Sequence, residues 1–184
     1  QCNTSHLNSL YYEVALPAEH TGKYDFQSIL THEIGHAAGF LSLATQTGTF
    51  QVQSGNASAA YSTMLYTRYD SLLTNQEGQS IVNKAGNGNT AFTLGETLSL
   101  GDTGLTAYNP ATWQQGSSMA HIDSASDPDA LMQYSISPDT YHRTLTDGEM
   151  ELMRSMGWKM VPEPGTSTLS LLGLAVLALR RRRC

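Results

Sequence analysis

The order of apolar and polar positions predicts two elements in the first forty residues. The stretch "SLYYEVAL", Ser9–Leu16, is typical of a β-strand, which Pro17 would end. Apolar residues then recur at helical spacing over residues 26–38. Asp25 can cap the first turn of that helix, and Gly39 can end it in a left-handed conformation.

The helix predicted over residues 26–38 has two unlike faces, because positions three and four apart project to the same side. One face carries the candidate residues His32, Glu33 and His36 together with Ile29. The other face is apolar and is expected to pack on the core: Leu30, Ile34, Ala37 and Ala38.

The pattern is less regular between residues 40 and 120. The stretch Ala59–Leu73 favours a helix, whereas the frequent Gly and Asn residues over 83–104 favour short strands and turns. Residues 109–123, "NPATWQQGSSMAHID", are typical of an ordered loop. These elements together predict an α+β domain.

A second well-defined helix is predicted near the end of this domain, in "LTDGEMELMRSMGW". Thr146 and Glu149 have the spacing of a capping box, in which each side chain bonds the backbone N–H of the other residue. Gly157 is placed to end the helix.

Composition narrows the classes of function. The 184 residues are 40% hydrophobic and only 14% charged, which is typical of one globular domain with a real core. Residues 1–161 carry six Lys and Arg against fifteen Asp and Glu, so nucleic acid is excluded as a partner. Cys2 and Cys184 stand at opposite ends and form no thiolate zinc motif.

The last 24 residues differ from the rest in composition. The proline-rich stretch Val161–Gly165 is followed by an uncharged apolar stretch, Thr166–Leu179, and then by four consecutive arginines. As a helix the apolar stretch would span about 21 Å, less than the hydrocarbon core of a bilayer of about 30 Å. The arginines place the chain end on the cytoplasmic side and argue against a buried core helix.

This tail resembles the PEP-CTERM sorting tail of Gram-negative bacteria, in which a Pro-Glu-Pro element, a short span and an arginine cluster follow in order. The Pro-Glu-Pro element is Pro162–Pro164. The resemblance implies export, recognition by an exosortase-type processing enzyme, and delivery to the cell surface or extracellular matrix. It predicts a transient membrane anchor through a C-terminal transmembrane helix and divides the chain into residues 1–160 and 161–184.

The residues of the first predicted helix suggest a metal-binding site. His32 and His36 are four residues apart, so both imidazoles can reach one tetrahedral zinc ion. Glu33 can hold the water that zinc activates and take its proton during attack on a peptide carbonyl. The alternative is two histidines on the polar side of an ordinary amphipathic helix.

A catalytic zinc ion also needs a third protein ligand. His6 and His20 precede the helix in predicted loops, and neither Glu77 nor Glu96 lies in a convincing later helix. The residues themselves therefore leave two histidines open as the third ligand, His121 and His142.

Four stretches in order resemble bacterial metzincin-like zinc metallopeptidases with a long spacer before the third histidine, as in leishmanolysin: "HEIGHAAG", "GSSMAHID", "ALM" and "LTDGEMELMRSMGW". Ser42 stands where the short-spacer version has its third histidine. The resemblance implies His32, His36 and His121 as Zn²⁺ ligands and Glu33 as general base.

The same resemblance implies that Gly39 turns the chain after the helix and that Met132 lies beneath the metal. Tyr134 could approach the metal or an oxyanion. Such peptidases have several strands before the active-site helix, whereas about twenty-five residues precede it here, so an N-terminal part is expected to be missing.

The sequence thus predicts an exported zinc-dependent endopeptidase that acts on a protein or peptide substrate. The alternative is a non-catalytic extracellular matrix or adhesion protein sorted by the same tail.

Overall fold

The helices and strands of this protein are short. The computed structural model describes residues 9–16, 21–54, 62–85 and 90–159. In chain order its elements are β1 (Leu10–Tyr11), β2 (Tyr24–Asp25), α1 (Phe26–Ala37), β3 (Val52–Ser54), β4 (Ser62–Met64), a 3₁₀ turn (Asp70–Leu72), β5 (Leu73–Thr74), α2 (Ile81–Ala85), β6 (Ser99–Leu100) and α3 (Asp147–Ser155). β1 pairs with β2 in parallel, whereas β3–β4 and β5–β6 are antiparallel. The fold is a small mixture of helices and strands.

The predicted start and end of α1 are confirmed. Asp25 caps the helix by accepting hydrogen bonds from the backbone N–H and the hydroxyl of Ser28, at 2.9 and 2.6 Å. Gly39 follows the helix with φ of 119°, a conformation that favours glycine.

An ion pair that the sequence did not indicate anchors the same helix end. The Arg143 guanidinium binds both carboxylate oxygens of buried Asp25, at 2.7 and 2.8 Å. Burial raises the pKa of Asp25, but hydrogen bonds from Arg143 and Ser28 outweigh it and hold the pKa below its ordinary value. Arg143 also donates to the carbonyls of Glu13 and Val14, so it joins the β1 segment to the start of α1.

The predicted core face of α1 is wrong for Leu30 and Ile34, whereas Ala38 at its end packs against the core. Leu30 and Ile34 are 48% and 57% exposed, and the buried residues of the helix are Ser28, His32 and Gly35. The helix therefore turns His32 and Gly35 inward, where they meet His121 and the buried side chain of Met132.

The hydrophobic core is built mainly by the chain after α1. Its fully buried large side chains are Phe40, Tyr69, Leu73, Ile81, Leu98, Leu100, Met119, Ile122, Leu131, Met132 and Leu152. Most of them lie outside helices and strands, so this core holds irregular segments in place.

Two predicted elements in this region differ from the structure. Only Leu10–Tyr11 of the strand predicted over Ser9–Leu16 is paired. The helix predicted over Ala59–Leu73 is also wrong, since its described part contains β4 and the 3₁₀ turn. Buried Asp70 explains the difference, because its carboxylate accepts hydrogen bonds from Ser42 and from the Leu43 and Thr67 backbones.

The second helix predicted from the sequence, α3, is confirmed, with its capping box between Thr146 and Glu149. Just beyond it, Trp158 donates its indole N–H to the carbonyl of Ala38 at 2.8 Å, which joins the two helix ends. None of the helices in the described ranges is long and apolar enough to span a membrane. The transmembrane helix predicted in the tail lies outside those ranges.

Candidate metal centre

The structure brings together the three histidines that the sequence analysis singled out as ligands. α1 places His32 and His36 one turn apart, and the loop after Ser117 brings His121 against them. One nitrogen from each ring lies within 4.8 Å of the other two. The Nε2 atoms of His32 and His121 are 3.2 Å apart. Three imidazoles from two distant parts of the chain therefore share a volume that one ion could fill.

Each of the three rings is held by a backbone carbonyl at its other nitrogen. The Nδ1 atoms of His32, His36 and His121 lie 2.9, 2.6 and 2.8 Å from the carbonyl oxygens of Leu131, Phe40 and Ser117, respectively. Because a carbonyl oxygen can only accept, Nδ1 must be the protonated nitrogen in each ring. The Nε2 atoms are then left with their lone pairs, which is the arrangement that metal-binding histidines use.

Burial keeps two of these imidazoles neutral. His32 and His121 are 7% and 5% exposed. The pKa of His121 is lowered to about 4, chiefly by burial and also by nearby His36 and His32, against the opposing bond to Ser117. Burial also lowers the pKa of His32. Both rings are therefore in the form that binds a metal at neutral pH.

These hydrogen bonds make the short contact between His32 and His121 informative. With the proton of each neutral ring on Nδ1, the two Nε2 atoms meet at 3.2 Å through their lone pairs. A cation that accepts both lone pairs would remove the repulsion between two acceptors at that distance. Three imidazoles are a common zinc set and leave a position for water, so the donor atoms fit Zn²⁺.

Met132 lies beneath the cluster, as the sequence resemblance implied. Its side chain is fully buried and lies against Gly35, the residue directly before His36. A side chain at Gly35 would overlap the Met132 sulfur. The small residue inside α1 therefore lets the methionine approach the helix closely and form an apolar floor.

Glu33 follows His32 directly and lies on the exposed side of α1. Its carboxylate is close enough for its charge to raise the pKa of His32 in opposition to burial. It therefore stands beside the cluster at the solvent boundary, where a carboxylate can exchange protons with water.

The other candidates for a third ligand lie elsewhere or are not described. His142 bonds the carbonyl of Asp129. Glu77 accepts from the amide of Asn75, and Glu96 accepts from the backbone N–H of Thr93. Within the described ranges, the group of His, Cys, Asp and Glu side chains that could hold an ion is the histidine triad. His6 and His20 lie outside those ranges.

Two further candidate residues have well-defined surroundings. The Ser42 hydroxyl donates to Asp70 at 2.5 Å, so it orders the chain after α1. Tyr134 stacks on Tyr108 with ring centroids 3.8 Å apart. An approach of Tyr134 to a metal stays a prediction.

Sequence reasoning missed the group that holds the floor of the site. Buried Glu149 accepts from the backbone N–H groups of Leu131 and Met132 at 3.1 and 2.8 Å. The capping-box signal identified Glu149, but it gave only the local bond to Thr146, because contacts across 17 residues have no sequence signature.

The tail matches a known sorting signal. Residues 161–183 match the PEP-CTERM protein-sorting motif, as the Pro-Glu-Pro element, the apolar stretch and the arginines predicted. The motif marks an exported protein that is sorted to the cell envelope, and it implies recognition by an exosortase-type processing enzyme. No curated protein and no solved structure is significantly similar to the chain.

Proposed function

We propose that this protein is an exported zinc-dependent endopeptidase. The observation that carries the proposal is the triad itself, with one ring nitrogen of each histidine within 4.8 Å of the other two and each Nδ1 bonded to a carbonyl. The order of the stretches that resemble metzincin-like peptidases supports a related zincin-like fold. The sorting motif supports a site of action at or beyond the cell envelope, where we expect the substrate to be a protein or peptide.

His32, His36 and His121 would hold the ion. When bound there, Zn²⁺ supplies a Lewis acid that lowers the pKa of a water molecule to about 7. Glu33 takes the proton of the attacking water and returns it to the leaving amine. The carbonyls of Leu131, Phe40 and Ser117 keep the three rings in the required tautomer.

The burial of this site supports the same chemistry. Met132 is fully buried below the triad, whereas Glu33 is exposed, so we expect the open side of the site to be the side of Glu33. A substrate carbonyl would have to approach from that open side. A single carboxylate there can hold a water molecule against the carbonyl, and the arrangement needs no covalent intermediate.

The test uses the full chain with Glu33→Gln and, as a matched control, Glu151→Gln on the exposed face of α3. Elemental analysis is expected to give about one zinc per chain in all three proteins. Cleavage of casein or a peptide library should stop with a chelator and return with Zn²⁺. Glu33→Gln should lower kcat at least about 100-fold with its zinc retained, because the general base is removed.

The main alternative is a non-catalytic matrix or adhesion protein sorted by the same tail. Chelator-insensitive cleavage, or no cleavage by a zinc-loaded protein, would favour this alternative. A wild-type protein that binds no zinc would end the proposal.

A further inference from the structure

The carboxylate of Glu149 makes more contacts than its role at the start of α3 requires. A capping box uses this side chain only to accept from the backbone N–H of Thr146, which it does at 2.8 Å. Glu149 is nevertheless completely buried. Its two oxygens also accept from Leu131 and Met132, residues 18 and 17 positions earlier in the chain. The second set of bonds needs an explanation outside the helix.

The two residues that Glu149 holds are the ones that shape the histidine site from below. The carbonyl of Leu131 accepts the Nδ1 proton of His32. The side chain of Met132 packs against Gly35, which lies in the same helix as His32 and His36. Since the N–H and C=O of Leu131 belong to one short backbone segment, a shift at its N–H end would also move its carbonyl.

Burying a carboxylate is costly unless several donors satisfy it. Glu149 meets this condition with three backbone N–H groups, and hydrogen bonds to a charged acceptor are stronger than those to a neutral one. The donors come from two segments, so the carboxylate fixes α3 and the 131–132 segment relative to each other. The second segment in turn sets the direction of His32.

We propose that Glu149 is a positioning residue of the metal centre, which acts through Leu131 on His32 and through Met132 on the floor of the site. The inference rests on the zinc centre proposed above. It goes beyond that centre by assigning a role to a residue that does not touch the ion or the substrate. Partners beyond the ligands commonly alter metal affinity 10- to 100-fold when they are removed.

The decisive variant is Glu149→Gln in the full chain. The amide keeps the size of the side chain and one acceptor oxygen, but its NH₂ group must face a backbone donor. The zinc dissociation constant, measured by competition with a chromophoric chelator, is expected to rise about 10-fold. The visible absorption of the Co²⁺-substituted protein should also change, because this spectrum reports the geometry of the ligands around the ion.

Two variants separate positioning from general destabilisation. Glu151→Gln makes the same chemical change on the exposed face of α3 and should leave zinc affinity and the Co²⁺ spectrum unchanged. Thr146→Ala removes the side-chain cap of α3 but leaves the Glu149 carboxylate in place. It should lower the unfolding temperature with little effect on zinc affinity.

Each outcome bears on one proposal or on both. An unchanged zinc affinity and Co²⁺ spectrum in Glu149→Gln overturns the positioning role, as does an equal loss of affinity in Thr146→Ala. A wild-type protein that binds zinc but cleaves no peptide overturns the peptidase proposal and leaves the role of Glu149 to be decided by affinity alone. A wild-type protein without zinc affinity overturns both.

Discussion

At the scale of single residues, the most informative feature is that the Nδ1 nitrogen of each histidine in the triad is hydrogen-bonded to a backbone carbonyl. Nothing in helical geometry requires the rings of His32 and His36 to bond carbonyls outside their own turn. The carbonyls of Leu131 and Phe40 nevertheless accept hydrogen bonds from these two rings. The carbonyl of Ser117 accepts one from His121. The carbonyls thus select the same tautomer, with the proton on Nδ1, for each neutral ring.

Removal of one ligand tests this arrangement. His121→Ala is expected to reduce zinc binding by at least about 100-fold, because two imidazoles from one helix cannot complete a tetrahedral site. The measurement is zinc content after dialysis, together with the dissociation constant by chelator competition.

His142→Ala is the matched control for this prediction. It removes an imidazole that also bonds a carbonyl, that of Asp129, but that lies outside the triad. Zinc content should stay at the wild-type level. If His142→Ala lost zinc to the same extent as His121→Ala, the assignment of His121 as the third ligand would be contradicted.

At the scale of elements, α1 mainly positions residues of the candidate site and contributes few apolar side chains to the core. Its inward face carries His32 and Gly35, and its outward face carries exposed Leu30 and Ile34. The packing energy of this helix therefore comes from its ends and from the contact of Gly35 with Met132, since its apolar residues contribute little burial within the described ranges.

Gly35→Ala gives a prediction whose sign is opposite to that of helix propensity. Alanine in a helix interior normally adds about 0.5–1 kcal/mol of stability relative to glycine. Here the new Cβ would overlap the Met132 sulfur and lie 3.1 Å from its terminal methyl, so overpacking should cost about 1–3 kcal/mol. The temperature of thermal unfolding and the affinity for zinc should both fall.

A second background makes the cause identifiable. In Met132→Ala the obstacle is gone, so adding Gly35→Ala should cost much less than it does in the wild-type protein. Gln27→Ala on the exposed side of α1 should change stability by less than about 0.5 kcal/mol. Stabilisation by Gly35→Ala would show that the methionine moves aside freely and is no fixed floor.

The elements also show which parts of the fold a sequence can predict. The bounds of α1 and α3 follow from caps within a few residues, Asp25 with Ser28 and Thr146 with Glu149, so local patterns were sufficient. The 59–73 segment follows instead from Asp70, which bonds Ser42 from a distance of 28 positions. Such contacts depend on the tertiary structure and leave no periodicity in the chain.

The candidate site likewise combines residues that local patterns predict with contacts that only the tertiary structure determines. His32, Glu33 and His36 could be read from spacing, and His121 and Met132 from the order of motifs. The inward direction of His32 could not, because hydrophobic periodicity alone places Leu30 and Ile34 in the core. The anchoring of Asp25 by Arg143, 118 positions away, was equally beyond a local pattern.

At the scale of the whole molecule, the sorting motif and the histidine site lie at separate parts of the chain. The motif covers residues 161–183, and the last ligand of the triad is His121. Processing of the tail would therefore leave the three ligands and Glu149 in the released protein.

Substitution of the motif should change the location of the protein and leave its zinc site intact. Glu163→Ala is expected to block processing in the native host, because the Pro-Glu-Pro element is the part predicted to be recognised. Mass spectrometry of the C-terminus and cell fractionation would detect the retained tail. Lys159→Ala, just before the motif, should be processed normally; equal processing of both variants would place recognition elsewhere in the tail.

The separation of the ligands along the chain has a consequence for how the protein holds together. An ion bound by His32 and His121 would cross-link residues 89 positions apart, as a disulfide does. Chain-entropy arguments give a covalent cross-link over such a loop about 4 to 5 kcal/mol. Cys2 and Cys184 lie outside the described ranges, so within those ranges the chain has no disulfide to play this part. If the proposed ion binds there, it would hold distant parts of this chain together outside the cell in addition to its chemical role.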